Sequence, residues 1–225
     1  MTGPPSSVTI TFSDLTRAAY CPRQLWYARR DDDRGPPEDV AERRELAFRY
    51  PELRTAPDRV LADLPIDPDP DAYRRALDRL ADRPDWAALS DPDDRGVRLA
   101  GKDCHGVAHK LLGGDSPIPS VISPGTPPER GVWEPQAVRA VATAKALSWE
   151  RERSIPRALV EYPTVGVVRT VRLTTRHKAA YRRALRTVRE LDGPPARRHD
   201  ARCEGCAYRD QCGVRTRTLR SLLGV

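Results

Sequence analysis

The chain has 225 residues, with 39 Lys or Arg against 32 Asp or Glu, which gives a net charge of +7 and an isoelectric point of about 9.4. It has neither a run of roughly 18 apolar residues nor a secretory type of N-terminus, so we expect a cytoplasmic protein without a membrane partner. A basic balance favours polyanionic partners, nucleic acid first, and this length suits a single domain.

The first part of the chain has helical patterns. The sequence predicts a short helix in "TFSDLTRAAY" with Ser13 as its N-cap, and a second helix that begins at Pro22. An acidic loop follows over residues 31–39, and further helical patterns make residues 31–94 a predicted helical lobe. Because this lobe is acidic, we do not expect it to be the surface that meets nucleic acid.

The second part of the chain has strand patterns. We predict a hairpin in "VRLAGKDCHGVAHKLL", a strand in "IPSVIS", a helix in "EPQAVRAVATAKALSWE" and two strands around a turn near Gly166. Thr174 or Thr175 then caps a last long helix. Residues 97–192 are therefore the predicted core of a mixed α/β sheet, and residues 1–225 are predicted to be one domain.

Three of the five cysteines are crowded into "RCEGCAYRDQC", in a segment over residues 197–225 that ends in a basic tail. Clustered thiols in a reduced compartment indicate a metal site, and a fourth ligand could be Cys21 or Cys104. Cys104 lies inside a strand pattern, where a lone cysteine is usually a small buried hydrophobe, so we choose Cys21. Four thiolates suit zinc or an iron–sulfur cluster, and spacing alone does not separate the two. The predicted set is Cys21, Cys203, Cys206 and Cys212.

Two motifs, "YCPRQLWY" near the start and "CEGCAYRDQC" near the end, make the chain resemble the fourth family of CRISPR-associated (Cas) proteins, which are RecB-like iron–sulfur exonucleases. The resemblance extends from about Ile10 to Cys212. It implies a restriction-endonuclease-like PD-(D/E)xK fold and a [4Fe–4S] cluster on the four cysteines above. It also implies DNA and the CRISPR integration proteins as partners, and a function in CRISPR adaptation and antiviral defence.

The catalytic motifs of that family are not matched. The family holds Mg²⁺ or Mn²⁺ with an Asp and a Glu, beside a Lys, a helical His and a QxxxY helix. Here Val121 takes the Glu position and Ser123 the Lys position, and neither can ligate Mg²⁺ as a carboxylate does. We therefore expect a DNA-binding relative that has lost catalysis. The remaining motif positions fall on Cys104 or His105 for the Asp, near Ala47 for the His, and on Arg139 and Thr143 for QxxxY.

Two alternatives stay open from the sequence. The first is a working Mg²⁺- or Mn²⁺-dependent DNA exonuclease with displaced ligands, for which Asp103, His105 and Glu161 are the candidate catalytic residues. The second is a zinc-stapled interaction module without affinity for nucleic acid.

Arginines near the C-terminal end form the densest basic region of the chain. Phosphate contacts from such residues would give binding that is sensitive to salt and tolerant of sequence. Trp133 and Trp149 are expected in the core rather than as stacking platforms. The candidate nucleic-acid residues are Arg182, Arg183, Arg186, Arg189, Arg197 and Arg198.

Overall fold

The computed structural model describes residues 10–31, 38–114 and 116–214. None of the helices in these ranges is long and apolar enough to cross a bilayer. In chain order the elements are α1 (Phe12–Tyr20), α2 (Pro22–Ala28), α3 (Glu38–Glu45), α4 (Tyr50–Thr55), α5 (Asp58–Ala62), α6 (Pro70–Ala81), α7 (Trp86–Ser90), β1 (Asp94–Ala100), β2 (His105–Leu112), β3 (Ile118–Ile122), α8 (Glu134–Glu150), β4 (Arg157–Tyr162), β5 (Val167–Arg172), α9 (Thr175–Arg189) and α10 (Arg209–Cys212).

The strands form one mixed sheet in the order β1-β2-β3-β4-β5. All neighbours are antiparallel except β3 and β4, which are parallel and are joined by a crossover through α8. A parallel pair requires such a crossover, because a tight turn can only reverse the chain direction. The predicted mixed α/β class is confirmed, and so are the hairpin, the three later strands and the long helix of residues 134–150.

Each face of the sheet carries its own hydrophobic core. On one face α1, α8 and α9 pack together, and their buried side chains include Leu15, Val138 and Tyr181. Strand β4 alternates, so that Val160 belongs to this first core and Leu159 belongs to the second core on the opposite face. This alternation follows from the two-residue period of a strand, and it makes β4 a strand that is buried on both sides.

The second core lies between the sheet and the helices of residues 38–90. Tyr50, Tyr73 and Leu77 are completely buried there. The Tyr73 hydroxyl donates to the carbonyl oxygen of Pro163 at 2.8 Å, so that this large side chain is buried without leaving its polar atom unsatisfied. The helical region therefore packs on the sheet as one of its layers.

Strand β2 changes the faces of its side chains at His109. Ala108 belongs to the first core, whereas Lys110, two residues later, enters the second, although residues two apart on a regular strand share a face. The position opposite His109 on β1 is Gly96, whose φ of +64° suits glycine. His109 Nδ1 accepts a hydrogen bond from the amide of Ile122 at 2.8 Å, in place of a backbone carbonyl. One residue stands opposite one residue here, so nothing is inserted into either strand, and the irregularity turns Lys110 toward the second core.

Two predicted helix caps had different outcomes. Ser13 was wrong as the N-cap of α1, because Thr11 accepts the amide of Asp14 at 3.0 Å and Asp14 accepts the amide of Thr11 at 3.1 Å. This reciprocal capping box starts the helix two residues earlier. Thr174 is confirmed as the N-cap of α9, since its hydroxyl accepts the amide of His177 at 3.3 Å.

Candidate functional site

The four cysteines predicted as a set all line one pocket. Cys21 lies in extended backbone between α1 and α2, where it ends one helix and precedes Pro22, the first residue of the next. The other three come from the C-terminal segment: Cys203 in a 3₁₀ turn, Cys206 just after it, and Cys212 at the end of α10. All four thiols are free and partly exposed, so that residues from both ends of the chain meet at this pocket.

Hydrogen bonds hold the two ends of the chain together around the pocket. The Tyr20 hydroxyl donates to the carbonyl oxygen of Arg202 at 2.6 Å, and a guanidinium nitrogen of Arg202 returns a bond to the Tyr20 carbonyl at 3.1 Å. The Tyr27 hydroxyl donates to the carbonyl oxygen of Gln211 at 3.1 Å, and the Tyr27 ring stacks on Tyr208 with centroids 5.5 Å apart. The pocket therefore has a protein framework that brings its thiols together.

The donor set consists of four cysteine thiols. Among the residues that the structure describes, no three His, Cys, Asp or Glu side chains come close enough to hold one metal ion. Four thiolates are the donors of a tetrahedral zinc site, with Zn–S bonds of about 2.3 Å, and equally of a four-cysteine iron–sulfur cluster, in which each thiolate binds a different iron.

The fifth cysteine, Cys104, lies apart from this pocket. It belongs to the first core, and its sulfur atom is 3.6 Å from the Tyr181 hydroxyl. Burial, the largest cause, raises the pKa of the Cys104 thiol. A buried thiol with a raised pKa behaves as a small hydrophobe rather than as a ligand or nucleophile.

The three candidate catalytic residues are not brought together. Asp103, in the turn between β1 and β2, accepts hydrogen bonds from Arg189 at 3.0 Å and from the Tyr181 hydroxyl at 3.3 Å, on the side of the first core. Glu161 lies on the opposite face of the sheet, fully buried. His105 begins β2, and its amide donates to the carbonyl oxygen of Ile10 at 3.0 Å. One metal ion cannot be bound by both carboxylates, because the sheet lies between Asp103 and Glu161.

Glu161 is instead part of a buried ion pair that sequence reasoning missed. Lys110 Nζ lies 2.9 Å from one carboxylate oxygen of Glu161, and the Ser120 hydroxyl donates to the other at 2.6 Å. Burial is the main cause that lowers the pKa of Lys110, and the negative charge of Glu161 opposes it. The available signal was a lysine, preceded by a histidine, inside the mainly apolar strand "GVAHKLL". A satisfied pair of this kind is a structural element of the core.

The positions that correspond to the family's catalytic motifs carry no carboxylate. Val121 is buried in the first core, and Ser123 lies at the end of β3, within 3.5 Å of the Gln136 amide nitrogen. Thr143 is fully buried on α8 and donates to the carbonyl oxygen of Arg139 at 2.9 Å. These neutral and cationic groups do not provide the hard, negatively charged ligands that Mg²⁺ needs.

Arg139 lies in a region of positive charge. Burial, followed by the charges of Arg44 and Arg17, lowers the pKa of Arg139 to about 10. Burial, followed by the charges of Arg139, Arg44 and Lys110, lowers the pKa of His109 to about 3. A local excess of positive charge in a poorly hydrated region repels divalent cations and attracts anions.

The arginines predicted to contact nucleic acid lie on more than one surface. Arg182, Arg186 and Arg189 line a cleft formed by two adjoining pockets of about 480 and 510 Å³, which share Lys145 and Lys178. We call this the lysine cleft. The remaining arginines lie elsewhere: Arg183 pairs with Glu134 at 3.4 Å, Arg198 lines the cysteine pocket, and Arg197 is exposed in the segment before Cys203. The basic tail from Arg215 onward lies outside the described residues.

The expectation that Trp133 and Trp149 are core residues was wrong for both. Trp149 is 58% exposed and lines the lysine cleft, and Trp133 is 53% exposed at the other end of α8. Both flank a helix whose buried positions are filled mainly by alanine and valine, so that their large rings remain outside the core. An exposed tryptophan beside lysines is a surface on which a nucleic-acid base can stack.

In comparisons with known proteins, no family model matches the chain, and no curated protein matches it.

Proposed function

We propose that this protein is an iron–sulfur DNA-binding protein on the scaffold of the fourth CRISPR-associated family, with catalysis lost. The observation that carries the proposal is the meeting of Cys21 with Cys203, Cys206 and Cys212 at one pocket. The four-cysteine set joins the two ends of the chain, as the resemblance implies. The cluster would supply a rigid staple, because binding to ligands from both termini stabilises only the folded arrangement.

The proposed fold is the restriction-endonuclease-like core. The mixed sheet, with an antiparallel hairpin, a parallel β3–β4 pair and the α8 crossover, is compatible with it. By the resemblance, the biological setting would be CRISPR adaptation in the cytoplasm, where the chain would meet DNA and the integration proteins.

Loss of catalysis is proposed from the residues at the motif positions. Val121, Ser123 and Arg139 replace groups that the family uses to hold a metal ion and position water. The charges of Arg17 and Arg44 near Arg139 further oppose the entry of a divalent cation. The displaced-ligand alternative has less support, since Asp103 and Glu161 lie on opposite faces of the sheet and each already has a cationic partner.

The proposed DNA surface is the lysine cleft. It combines Arg182 and Arg186 of α9 with Lys145 and Lys178, beside Arg189, which pairs with Asp103, and Trp149 adds an aromatic surface at one side. Cationic side chains would bind phosphates and release counterions, whereas the ring would contact bases that are free to unstack. The combination favours single-stranded DNA over duplex DNA.

A nuclease assay on protein purified without oxygen tests the proposal. We expect iron, not zinc, in the purified protein, visible absorbance from the cluster, and binding of end-labelled single-stranded DNA that weakens with salt. We expect no degradation of single-stranded or duplex DNA with Mg²⁺ or Mn²⁺. Metal-dependent degradation that disappears in Asp103→Ala would establish the exonuclease alternative. Zinc without DNA binding would establish the interaction-module alternative.

A further inference from the structure

Several buried guanidinium nitrogens have no hydrogen-bond partner among the described residues. They include Nε of Arg139 on α8 and Nε of Arg44 on α3. Buried polar atoms in folded proteins nearly always have partners, and a buried charge is normally paired. A buried guanidinium nitrogen without a partner can donate a hydrogen bond to a further group, and the positive charge of the arginine favours an anion.

Three arginines from separate elements contribute to this region. Arg17 comes from α1, Arg44 from α3 and Arg139 from α8, and the charges of the first two both act on Arg139. Within the described ranges, none of the three forms an ion pair with an Asp or Glu. Placing like charges together away from water is costly unless a counterion neutralises them. The helix of Arg17 and the helix of Arg139 pack directly on each other.

Neutral polar groups lie beside the arginines. Gln136 precedes Arg139 by three residues on α8, so both side chains lie on one face of the helix. Its amide nitrogen is 3.5 Å from the Ser123 hydroxyl oxygen, and its amide oxygen is buried without a partner. Rotating the amide by 180° would exchange these atoms and direct two N–H donors to the unpartnered side. The region therefore offers neutral donors as well as cationic ones.

We propose that Arg17, Arg44 and Arg139 bind a phosphate group at this place, with Gln136 and Ser123 as additional donors. Guanidinium groups are planar forks whose N–H bonds match the oxygen atoms of a phosphate in pairs. A doubly charged phosphate would neutralise most of the excess charge, which a monovalent halide would not. The group would be carried either by free phosphate or by the terminal phosphate of a nucleic acid. This site is separate from the lysine cleft and goes beyond the DNA binding proposed above.

A thermal unfolding series at constant ionic strength tests this site. Sodium phosphate should raise the Tm of the wild-type protein by about 5–10 °C at a hundredfold excess over Kd. Sodium chloride at matched ionic strength should not produce this shift. An equal response to chloride would overturn the proposal, since it would show a general salt effect.

Variants separate this region from the rest of the basic surface. Arg139→Gln should lose the phosphate-dependent shift, and Arg44→Gln should reduce it; if Arg139→Gln does not fold, Arg44→Gln with calorimetric phosphate titration decides. The matched control is Arg75→Gln, an exposed arginine of α6, which should keep the full shift. A phosphate-dependent Tm shift that persists unchanged in both Arg139→Gln and Arg44→Gln would overturn the proposal.

Two oligonucleotides then identify the source of the phosphate. If the group is carried by DNA, a 5′- or 3′-phosphorylated single strand should bind more tightly than the same strand with hydroxyl ends. This advantage should be lost in Arg44→Gln and kept in Arg75→Gln. Equal binding of all strands, together with the phosphate-dependent Tm shift, would assign the site to free phosphate. DNA binding that fails altogether would contradict the function of the lysine cleft without affecting the Tm result.

Discussion

Lys110 Nζ on β2 donates to a carboxylate oxygen of Glu161 on β4 at 2.9 Å, across β3, and neither side chain has exposed surface. Ser120 on β3 donates to the other carboxylate oxygen. Lys110 also donates to the carbonyl oxygens of Ala47 at 2.6 Å and Leu89 at 2.9 Å, both in the helical layer. Because each polar atom of the pair has a partner, the network joins that layer to the sheet.

Removing one member of this pair should strongly destabilise the fold. Lys110→Met leaves the Glu161 carboxylate buried without its cation, and we expect the free energy of unfolding to fall by about 3–5 kcal/mol. Urea unfolding followed by circular dichroism measures the change. The double variant Lys110→Met/Glu161→Leu should recover most of the loss. Lys102→Met, at an exposed lysine, is the control; a similarly small effect at both lysines would contradict the structural role of the pair.

Acid should destabilise the protein through His109. Its pKa is about 3 in the folded protein, against an ordinary value near 6.5, so the unfolded chain binds a proton that the folded chain rejects between these pH values. The resulting stability is complete above about pH 6.5 and is lost as the pH falls toward 3, by at most about 1.4 kcal/mol per pH unit.

A His109→Asn variant isolates this contribution. Asparagine can still accept the hydrogen bond of the Ile122 amide, but it does not titrate. Urea midpoints at several pH values should therefore fall less steeply below pH 6.5 in His109→Asn than in the wild-type protein. Parallel curves for the two proteins would show that His109 does not have the low pKa described here.

Replacing Cys21 should remove the proposed iron–sulfur cluster and loosen the contact between the N-terminal and C-terminal segments that line the cysteine pocket. We expect Cys21→Ser to lose most of its iron and at least about 3 kcal/mol of stability, the contribution of a ligand bound at 100 Kd or more. Iron analysis and thermal unfolding measure both. Cys104→Ala is the matched control, because this cysteine lies in the first core and should leave the iron content unchanged. Full iron content in Cys21→Ser would show that the fourth ligand is another residue.

Trp149 should contribute to the binding of single-stranded DNA. Trp149→Ala removes the ring beside the lysine cleft, and a lost base-stacking contact of about 1–3 kcal/mol corresponds to a roughly 5- to 150-fold weaker Kd. Fluorescence anisotropy at fixed salt measures it. Trp133→Ala removes a similarly exposed tryptophan from the opposite end of α8 and should bind as the wild-type protein does. Equal losses in both variants would argue against stacking at the cleft.

The local sequence pattern predicted most elements of the sheet and its crossover helix. Residues that face a core are apolar, and they recur every two residues in a strand and about every 3.6 residues in a helix. These periods are visible in "VRLAGKDCHGVAHKLL" and in "EPQAVRAVATAKALSWE". Helix caps were less predictable. Ser13 and Thr11 are both suitable residues, and only the hydrogen bonds with Asp14 show that Thr11 is the cap.

The helix and strand patterns of the sequence determined the mixed α/β class, and the spacing of the cysteines gave rise to the expectation of a four-thiol site. What depended on the tertiary structure was which distant side chains meet. Lys110 and Glu161 are 51 positions apart, and their pairing follows from strand order and from the irregularity at His109. From the sequence alone, Asp103 and Glu161 were equally suitable as metal ligands, but in the structure the sheet lies between them. The periodicity of apolar residues indicates which side chains of one helix or strand are buried. Which side chains of different elements contact each other depends on how those elements pack, and no short stretch of sequence indicates that packing.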